Sequence, residues 1–323
     1  MNVDTSWILR AAGTLLSPAG PRARLTVLIY HRVLREIDPM FPEEVNAAQF
    51  ESQIVALTGN FTVLPLAEAV ERLKRKSLPP RAAAITFDDG YADNYEIAFP
   101  ILRRHKVTAT FFIASGFLDG GRMWNDTVIE AIRAAPAPEL DLAPWGKLDL
   151  RTWEARGRSA FSLLARLKHL EFNERAEAVE HIAAEIKESL PGNLMMTSAQ
   201  VRELHASGMG MGAHTAHHPI LARLNSTQAR AEIADGRAQL QEIIRAPVAL
   251  FAYPNGKPQH DYTAEHVEMV KELGFSAAFS TAWGVARGAS DFYQLPRFTP
   301  WDKTPVRFVF RLLQNTLRLA PAS

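Results

Sequence analysis

The sequence contains no cysteine. Disulfides and thiolate chemistry are therefore excluded, which fits the cytoplasm without ruling out an exported compartment. Neither sign of charge predominates: 36 Lys and Arg stand against 35 Asp and Glu, a formal net of +1. With no basic domain or clustered basic stripe, nothing points to nucleic acid as a partner. No apolar run approaches the roughly 20 residues needed to span a bilayer. The N-terminus makes a poor signal peptide, with Asp4 early and Arg10 inside its apolar stretch. Trp7 to Leu16 reads instead as a short helix on the protein surface or against a membrane. Internal repeats and low-complexity segments are absent as well. The expected location is the cytoplasm, with peripheral membrane contact as a refinement.

What is present centres on Ala83-Ala84-Ile85-Thr86-Phe87-Asp88-Asp89-Gly90-Tyr91-Ala92-Asp93. A small apolar run that ends in a glycine turn predicts a buried strand emptying into a loop. Two adjacent carboxylates there are costly unless their charge is compensated. A divalent metal would do so and would separate their jobs, one ligating and one left free as a base. The competing reading is a solvated turn in which Asp and Gly serve backbone geometry. Adjacent strand residues point to opposite faces. For both carboxylates to reach one site, the chain must leave strand geometry at about Asp89, which Gly90 makes inexpensive.

At 323 residues the chain can bury a large core. Leu25 to Tyr30 predicts a first strand, and Asn46 caps a helix over about 47–57. Strands follow at 61–64, in the run after Pro79-Pro80 that ends at Asp88-Asp89, and at 108–114, with helices at 66–76 and at 94–105, the latter kinked or restarted at Pro100. This alternation favours a parallel sheet or barrel with helical crossovers. From about 122 to 197 the pattern turns helical, with runs at 124–133, 159–170 and 173–190, and reads as an insertion. The strand rhythm then resumes at 209–213, 248–252 and 277–279, with 294–297 as a last strand. Helices lie between at 198–207, 226–245 and 263–273. The organisation expected is an N-terminal arm (1–24), a barrel (25–303) carrying the insertion, and a C-terminal helix (304–323). That helix places Arg307, Arg311 and Arg318 on one polar stripe. It either closes the domain or an oligomer contact, or rests as a basic amphipathic helix on a membrane.

The run Gly212-Ala213-His214-Thr215-Ala216-His217-His218-Pro219 supplies imidazoles. An Asp with two His leaves coordination positions open, as a catalytic metal requires. The donor set suits zinc, while nickel, cobalt and iron remain open. His217 could ligate in place of His218.

Thr86-Phe87-Asp88-Asp89-Gly90, followed about 125 residues later by His214-Thr215-x-x-His218-Pro219, resembles the NodB-homology polysaccharide deacetylases (carbohydrate esterase family four). The resemblance covers roughly residues 25–300. It implies a distorted (β/α) barrel of about seven strands and metal-dependent removal of N-acetyl groups from sugars. It also implies Asp88 as general base, with Asp89, His214 and His218 on the metal. The sequence departs from the usual pattern in three places. The customary Arg-Pro-Pro-Tyr-Gly segment reads Ala252-Tyr253-Pro254-Asn255-Gly256, so the arginine that steadies the base is missing there, and Arg297 is assigned to replace it. No late leucine-x-histidine segment carries the acid. An early Leu28-Ile29-Tyr30-His31-Arg32-Val33 run is similar to the circularly permuted poly-N-acetylglucosamine deacetylases, which makes His31 the candidate acid.

The mechanism implied is amide hydrolysis. Asp88 takes the water proton, the backbone N–H of Asn255 helps hold the oxyanion, and His31 protonates the departing amine. Tyr253 shares the segment assigned to the substrate side. Trp124 and Asp126 are assigned to a sugar groove, although Trp124 could equally be core packing; Trp283 and Trp301 share that ambiguity. Asp93 and Asn94 are expected to cap the following helix, with anchoring of the Asp88 loop by hydrogen bonds as the alternative. The partner expected is an N-acetylated glycan of a bacterial exopolysaccharide or its precursor, with the oligomeric state open. Two alternatives remain, an amidohydrolase of a small amide and an inactive glycan-binding assembly protein.

Overall fold

The computed structural model describes residues 6–186 and 188–318. Seven parallel strands form its sheet: β1 (Leu25–Tyr30), β2 (Thr62–Val63), β3 (Ala82–Phe87), β4 (Thr110–Ile113), β7 (Gly210–Ala213), β8 (Leu250–Ala252) and β9 (Ala277–Phe279). They run in the order β1-β3-β4-β7-β8-β9, with β2 beside the first two residues of β3. Burial on both faces explains their near-continuous apolar sequence; every residue of β1, β3 and β4 is buried.

The strand expected at 294–297 shrinks to two parallel bridges, Leu295 to Phe279 and Phe298 to Leu28. Leu295 bonds across to Ala278 and Ser280, and Phe298 to Val27 and Ile29. This segment therefore ties β9 to β1 and curls the sheet into the distorted barrel expected. It also carries Arg297 past the ends of both strands.

Local chemistry accounts for the helices outside the sheet. Asn46 accepts the Gln49 N–H at 3.0 Å and opens the helix Ala47–Asn60. Asn225 and Gln228 form a capping box for Ser226–Ile244. The expected disturbance near Pro100 takes the form of a π turn over Asn94–Ala98 that becomes α-helical at Phe99–Arg104. Proline cannot donate the backbone bond a continuous helix would need.

The segment 122–197 differs from its all-helical expectation. An antiparallel hairpin, β5 (Glu139–Leu142) with β6 (Gly146–Asp149), joins the helices Trp124–Ala134 and Trp153–Leu167, and the helix Phe172–Ile186 follows. The alternation Glu139-Leu140-Asp141-Leu142 is a strand period too short to stand out between prolines. Leu142 and Leu148 join Val128, Ile132, Leu163, Leu167 and Ile182 in a core separate from that of the barrel. The helix Pro305–Leu317 buries Phe308, Val309, Leu312 and Leu313 in the main core. It lies against the helices Ser6–Leu16 and Ala47–Asn60.

Candidate active site

β3 delivers Asp88 and Asp89 to the C-terminal mouth of the sheet. Asp88 keeps the strand's bonding, its N–H donating to the Tyr30 carbonyl at 2.9 Å. The chain turns at the next residue: Asp89 has φ +77° and Gly90 φ +95°. The departure from strand geometry falls at Asp89, and it brings both carboxylates to one side.

Asp88 is buried and gripped by Arg297, with Nη1 to Oδ1 and Nη2 to Oδ2 both at 2.7 Å. Arg297 is itself fully buried. Its Nε donates to the Ser280 carbonyl at 3.0 Å, and Nη1 also reaches the Thr86 hydroxyl at 3.3 Å. Burial would raise the Asp88 pKa, but the Arg297 guanidinium, helped by His214, holds it below the ordinary carboxylate range.

β7 ends at Ala213 and presents His214. Its Nδ1 lies 2.7 Å from the Ala252 carbonyl; a carbonyl only accepts, so Nδ1 carries the proton and the Nε2 lone pair is available. The loop that follows is held in unusual backbone geometry, with Thr215 at φ +64° and His218 at φ +52°. Two contacts sustain it. The Thr215 hydroxyl accepts the His218 N–H at 3.0 Å. Gly236 lets its helix approach so closely that a Cβ there would come within 2.3 Å of the Thr215 carbonyl carbon. His217 turns outward and bonds Glu232 through Nδ1 (2.9 Å) and its backbone N–H (2.8 Å).

Asp89, His214 and His218 each present one ligand atom, and these lie within 4.8 Å of one another. The Asp89 Oδ1 is 3.4 Å from His214 Nε2 and 3.3 Å from His218 Nε2. Donors about 2.1 Å from a tetrahedral ion would be about 3.4 Å apart. The same Oδ1 is buried with no hydrogen-bond donor, an uncompensated position that a cation would satisfy. The three side chains thus fit a divalent metal. Asp89 is held low, against its burial, by the two imidazoles. Burial pushes His218 down to about 4, so it is neutral at pH 7. His214 responds oppositely: burial lowers its pKa, yet Asp88 and Asp89 bring it above the ordinary value.

Two lobes of one cleft meet at Asp89. The first, about 390 Å³, is lined by His31, Tyr91, Asp126 and Trp301. Asp93 and Asn94 hold the His31 segment rather than capping the next helix. Asp93 accepts from Arg32 Nε (2.8 Å) and the Val33 N–H (3.1 Å), and Asn94 donates to the His31 carbonyl (2.8 Å). Asp126 is buried and accepts the Tyr91 hydroxyl at 3.1 Å through Oδ1, while its Oδ2 has no partner. Tyr91, directly after Gly90, was the available signal for this pair. The second lobe, about 610 Å³, is lined by Trp124, His218 and Asn255 among others. Asn255 stands at φ +57°. Tyr253 corrects the expectation. Its side chain is fully buried, stacked on Tyr262 with ring centroids 3.7 Å apart, and its hydroxyl donates to the Tyr293 carbonyl. It supports the core and does not line the cleft. Trp283 and Trp301 pack on each other at 4.8 Å.

The polysaccharide deacetylase family profile matches residues 75–156 and 172–278, more than half of the chain. That span includes Asp88, Asp89, His214 and His218 and leaves out His31 and Arg297. YxkH of Bacillus subtilis, a protein classed as a polysaccharide deacetylase, is 20% identical over 277 residues, covering 85% of this chain and 71% of its own. A poly-beta-1,6-N-acetyl-D-glucosamine N-deacetylase of Staphylococcus aureus is 41% identical over 73 residues, 22% of this chain and 25% of that protein. Among solved structures, the Streptococcus pyogenes deacetylase PplD in complex with acetate superposes with a TM-score of 0.61 at 18% identity, covering 92% of this chain and 99% of its own. IcaB from Ammonifex degensii gives 0.58 at 22% identity, covering 90% and 97%. At these identities the structural likeness speaks for the fold.

Proposed function

The chain belongs to the polysaccharide deacetylase family, and from that premise we propose that it is a metal-dependent hydrolase removing N-acetyl groups from hexosamine units of a bacterial exopolysaccharide or its precursor. One observation carries the reading. A buried carboxylate kept ionised by a bidentate arginine stands next to a second carboxylate whose buried oxygen has only two imidazole nitrogens around it.

Asp89, His214 and His218 would hold the ion, with zinc favoured by the donor set and nickel, cobalt or iron accommodated. A bound divalent cation supplies Lewis acidity toward the acetamide carbonyl and toward water. The remaining work falls to the chain. Asp88, oriented by Arg297, accepts the proton of the attacking water. The Asn255 N–H, on left-handed backbone in the lobe that His218 also lines, donates to the developing oxyanion. His31, in the opposite lobe, delivers a proton to the departing sugar amine, without which an amide nitrogen leaves poorly. Trp124 offers a ring face to a pyranose, and the unpartnered Asp126 oxygen an acceptor for a sugar hydroxyl. A cleft with two lobes meeting at the reacting centre suits a glycan chain better than a single small amide.

The same reading extends to the membrane surface. Among the described residues no helix is long and apolar enough to cross a membrane. The helix Pro305–Leu317 leaves Val306, Phe310 and Leu317 exposed, beside Arg307 and Arg318 and with no acidic residue from 305 to 318. That pattern fits peripheral contact with anionic lipid.

The test combines elemental analysis of the purified protein with acetate release from N-acetylated glycans. Asp88→Asn should keep the metal and lose on the order of 10²–10⁴ in rate, whereas Asp89→Asn and His214→Ala should lose the metal. Full activity in Asp88→Asn would remove the base assignment. Glycan binding without metal or acetate release would replace the enzyme with a binding protein.

A further inference from the structure

We propose that the larger lobe binds an anionic group, so that the preferred substrate is an N-acetylated glycan bearing a phosphate or carboxylate on the unit beside the hydrolysed acetamide. The substrate statement rests on the deacetylase reading; the anion site does not.

Four cationic side chains from separate segments line this one cavity: Lys168, Arg175, Arg223 and Lys257. Lys168 follows the helix Trp153–Leu167 and Arg175 lies in Phe172–Ile186, both in the insertion. Arg223 ends the short turn Leu221–Arg223, and Lys257 follows β8, both on the barrel. The net charge of +1 over 323 residues shows that this convergence is not a general basicity of the protein. The carboxylates lining the cavity are Asp89, assigned above to the metal, and Asp261. Asp261 spends Oδ2 on the Lys257 backbone N–H at 2.9 Å.

The two lobes treat their cations differently. In the smaller lobe Arg32 is paired with Asp93, and Arg133 with Asp38 and Glu130. In the larger lobe, among the described residues, Lys168, Arg223 and Lys257 have no carboxylate partner. Like charges lining one cleft repel one another, and they focus a positive potential on whatever enters. An anion relieves the repulsion and gains charge-assisted hydrogen bonds. Trp124 and the exposed ring of Phe161 line the same cavity, so a sugar ring and its anionic substituent find apolar and cationic surface together. Because the cavity begins at Asp89 and His218, the substituent belongs next to the reacting acetamide.

The experiment reads binding directly by calorimetry on the full-length protein. The probes are N-acetylglucosamine, N-acetylglucosamine 1-phosphate, and a disaccharide of N-acetylglucosamine with glucuronate. At least one anionic probe should bind about tenfold tighter than the neutral sugar, an advantage that shrinks as salt rises. Which anionic probe gains separates a phosphate from a uronate. Arg223→Glu and Lys257→Glu, both at exposed positions, should erase the advantage, and Arg223→Gln should reduce it; unchanged thermal unfolding shows that the variants fold. Equal binding of neutral and anionic probes, or an advantage that survives both reversals, overturns the proposal. Acetate release is scored separately. Tight anion binding with no acetate from any glycan leaves the anion site standing and the deacetylase reading fallen. Equal binding and equal acetate release from neutral and anionic glycans does the reverse.

Discussion

Asp88 and Arg297 stand 209 positions apart in the chain and meet through two parallel 2.7 Å bonds in a place solvent does not reach. Four donor contacts hold the guanidinium flat against the carboxylate: two to Asp88, one to Ser280 and one to Thr86. The pair is therefore a fixed fork that sets the direction in which Asp88 offers its lone pairs.

Removing the fork should act on pH as well as on rate. The Asp88 pKa is depressed in the folded state, so its stabilising contribution is present above the unfolded value of about 3.9 and is lost as pH falls through the folded one. In Arg297→Met only the imidazoles of His214 and His31 still oppose the burial, and the carboxyl pKa climbs. The variant should lose about 3–5 kcal/mol at pH 7, less in acid, and the acid limb of kcat/KM should move to higher pH. Arg297→Lys keeps a charge without the planar fork and should fall between. Urea unfolding and a pH–rate profile check this; a wild-type acid limb in Arg297→Met would show that the arginine does not tune the base.

Protons and metal should compete at His214. Against its burial, Asp88 and Asp89 raise its pKa above the ordinary value, so in the metal-free protein Nε2 is partly protonated at neutral pH. A ligating imidazole must be neutral. Metal affinity should therefore rise with pH through neutrality, with protons released from His214 on binding. His218, at about 4, is already neutral and releases none. Calorimetry in buffers of different ionisation enthalpy counts the protons, and a pH-independent affinity from pH 6 to 8 contradicts the assignment.

Asp126 predicts an opposite slope. Burial pushes its carboxyl up to about 7, with the charge of Asp89 adding and that of Arg32 opposing. The folded state then holds a proton that the unfolded state releases near 3.8, so stability should fall as pH rises from about 4 to about 7. In metal-free protein, Asp126→Asn should flatten that slope and be more stable than wild type at pH 8 by about 2–4 kcal/mol. Thermal unfolding across this range gives the comparison; parallel curves for the two proteins would place the proton elsewhere.

Membrane contact is testable with vesicles. The helix Ser6–Leu16 exposes Trp7, Ile8 and Leu15. It also lies against the C-terminal helix, where a Cβ on Gly13 would meet the Leu313 side chain at 3.2 Å. The protein should sediment with phosphatidylserine vesicles and not with phosphatidylcholine ones, less so at high salt. Phe310→Ser and Arg307→Glu should each weaken this, the charge change by about 1 kcal/mol or more. Equal sedimentation with both lipids would remove the electrostatic part of the reading.

Much of the site could be read locally. Asn46 caps a helix because its side chain reaches a backbone N–H three residues on. The Asp88-Asp89-Gly90 turn leaves the strand at Asp89 because the next residue tolerates any φ. Tyr253 departs from its expected place for a physical reason. A residue next to a Pro-Asn-Gly turn can point either way, and its stacking on Tyr262 and bond to the Tyr293 carbonyl are contacts that sequence proximity does not reveal. Asp93 likewise has the makings of a cap, but Arg32, 61 positions away, competes for it and holds it. The β5–β6 hairpin is not legible in the sequence because two strands of four residues carry too few periods to be told from the helical run around them.

By itself the sequence determined the alternation of strands and helices, the acidic turn at the end of β3 and the histidine loop after β7, since each depends on periodicity or on neighbours a few positions apart. Tertiary structure alone decided that Asp89, His214 and His218 face one point, that Arg297 rather than solvent neutralises Asp88, and that four cations gather on one side of the cleft. The reason is range. A propensity acts within a turn of chain, whereas these meetings depend on how sheet curvature, a bridging segment at 295–298 and glycines such as Gly236 bring distant backbone into contact.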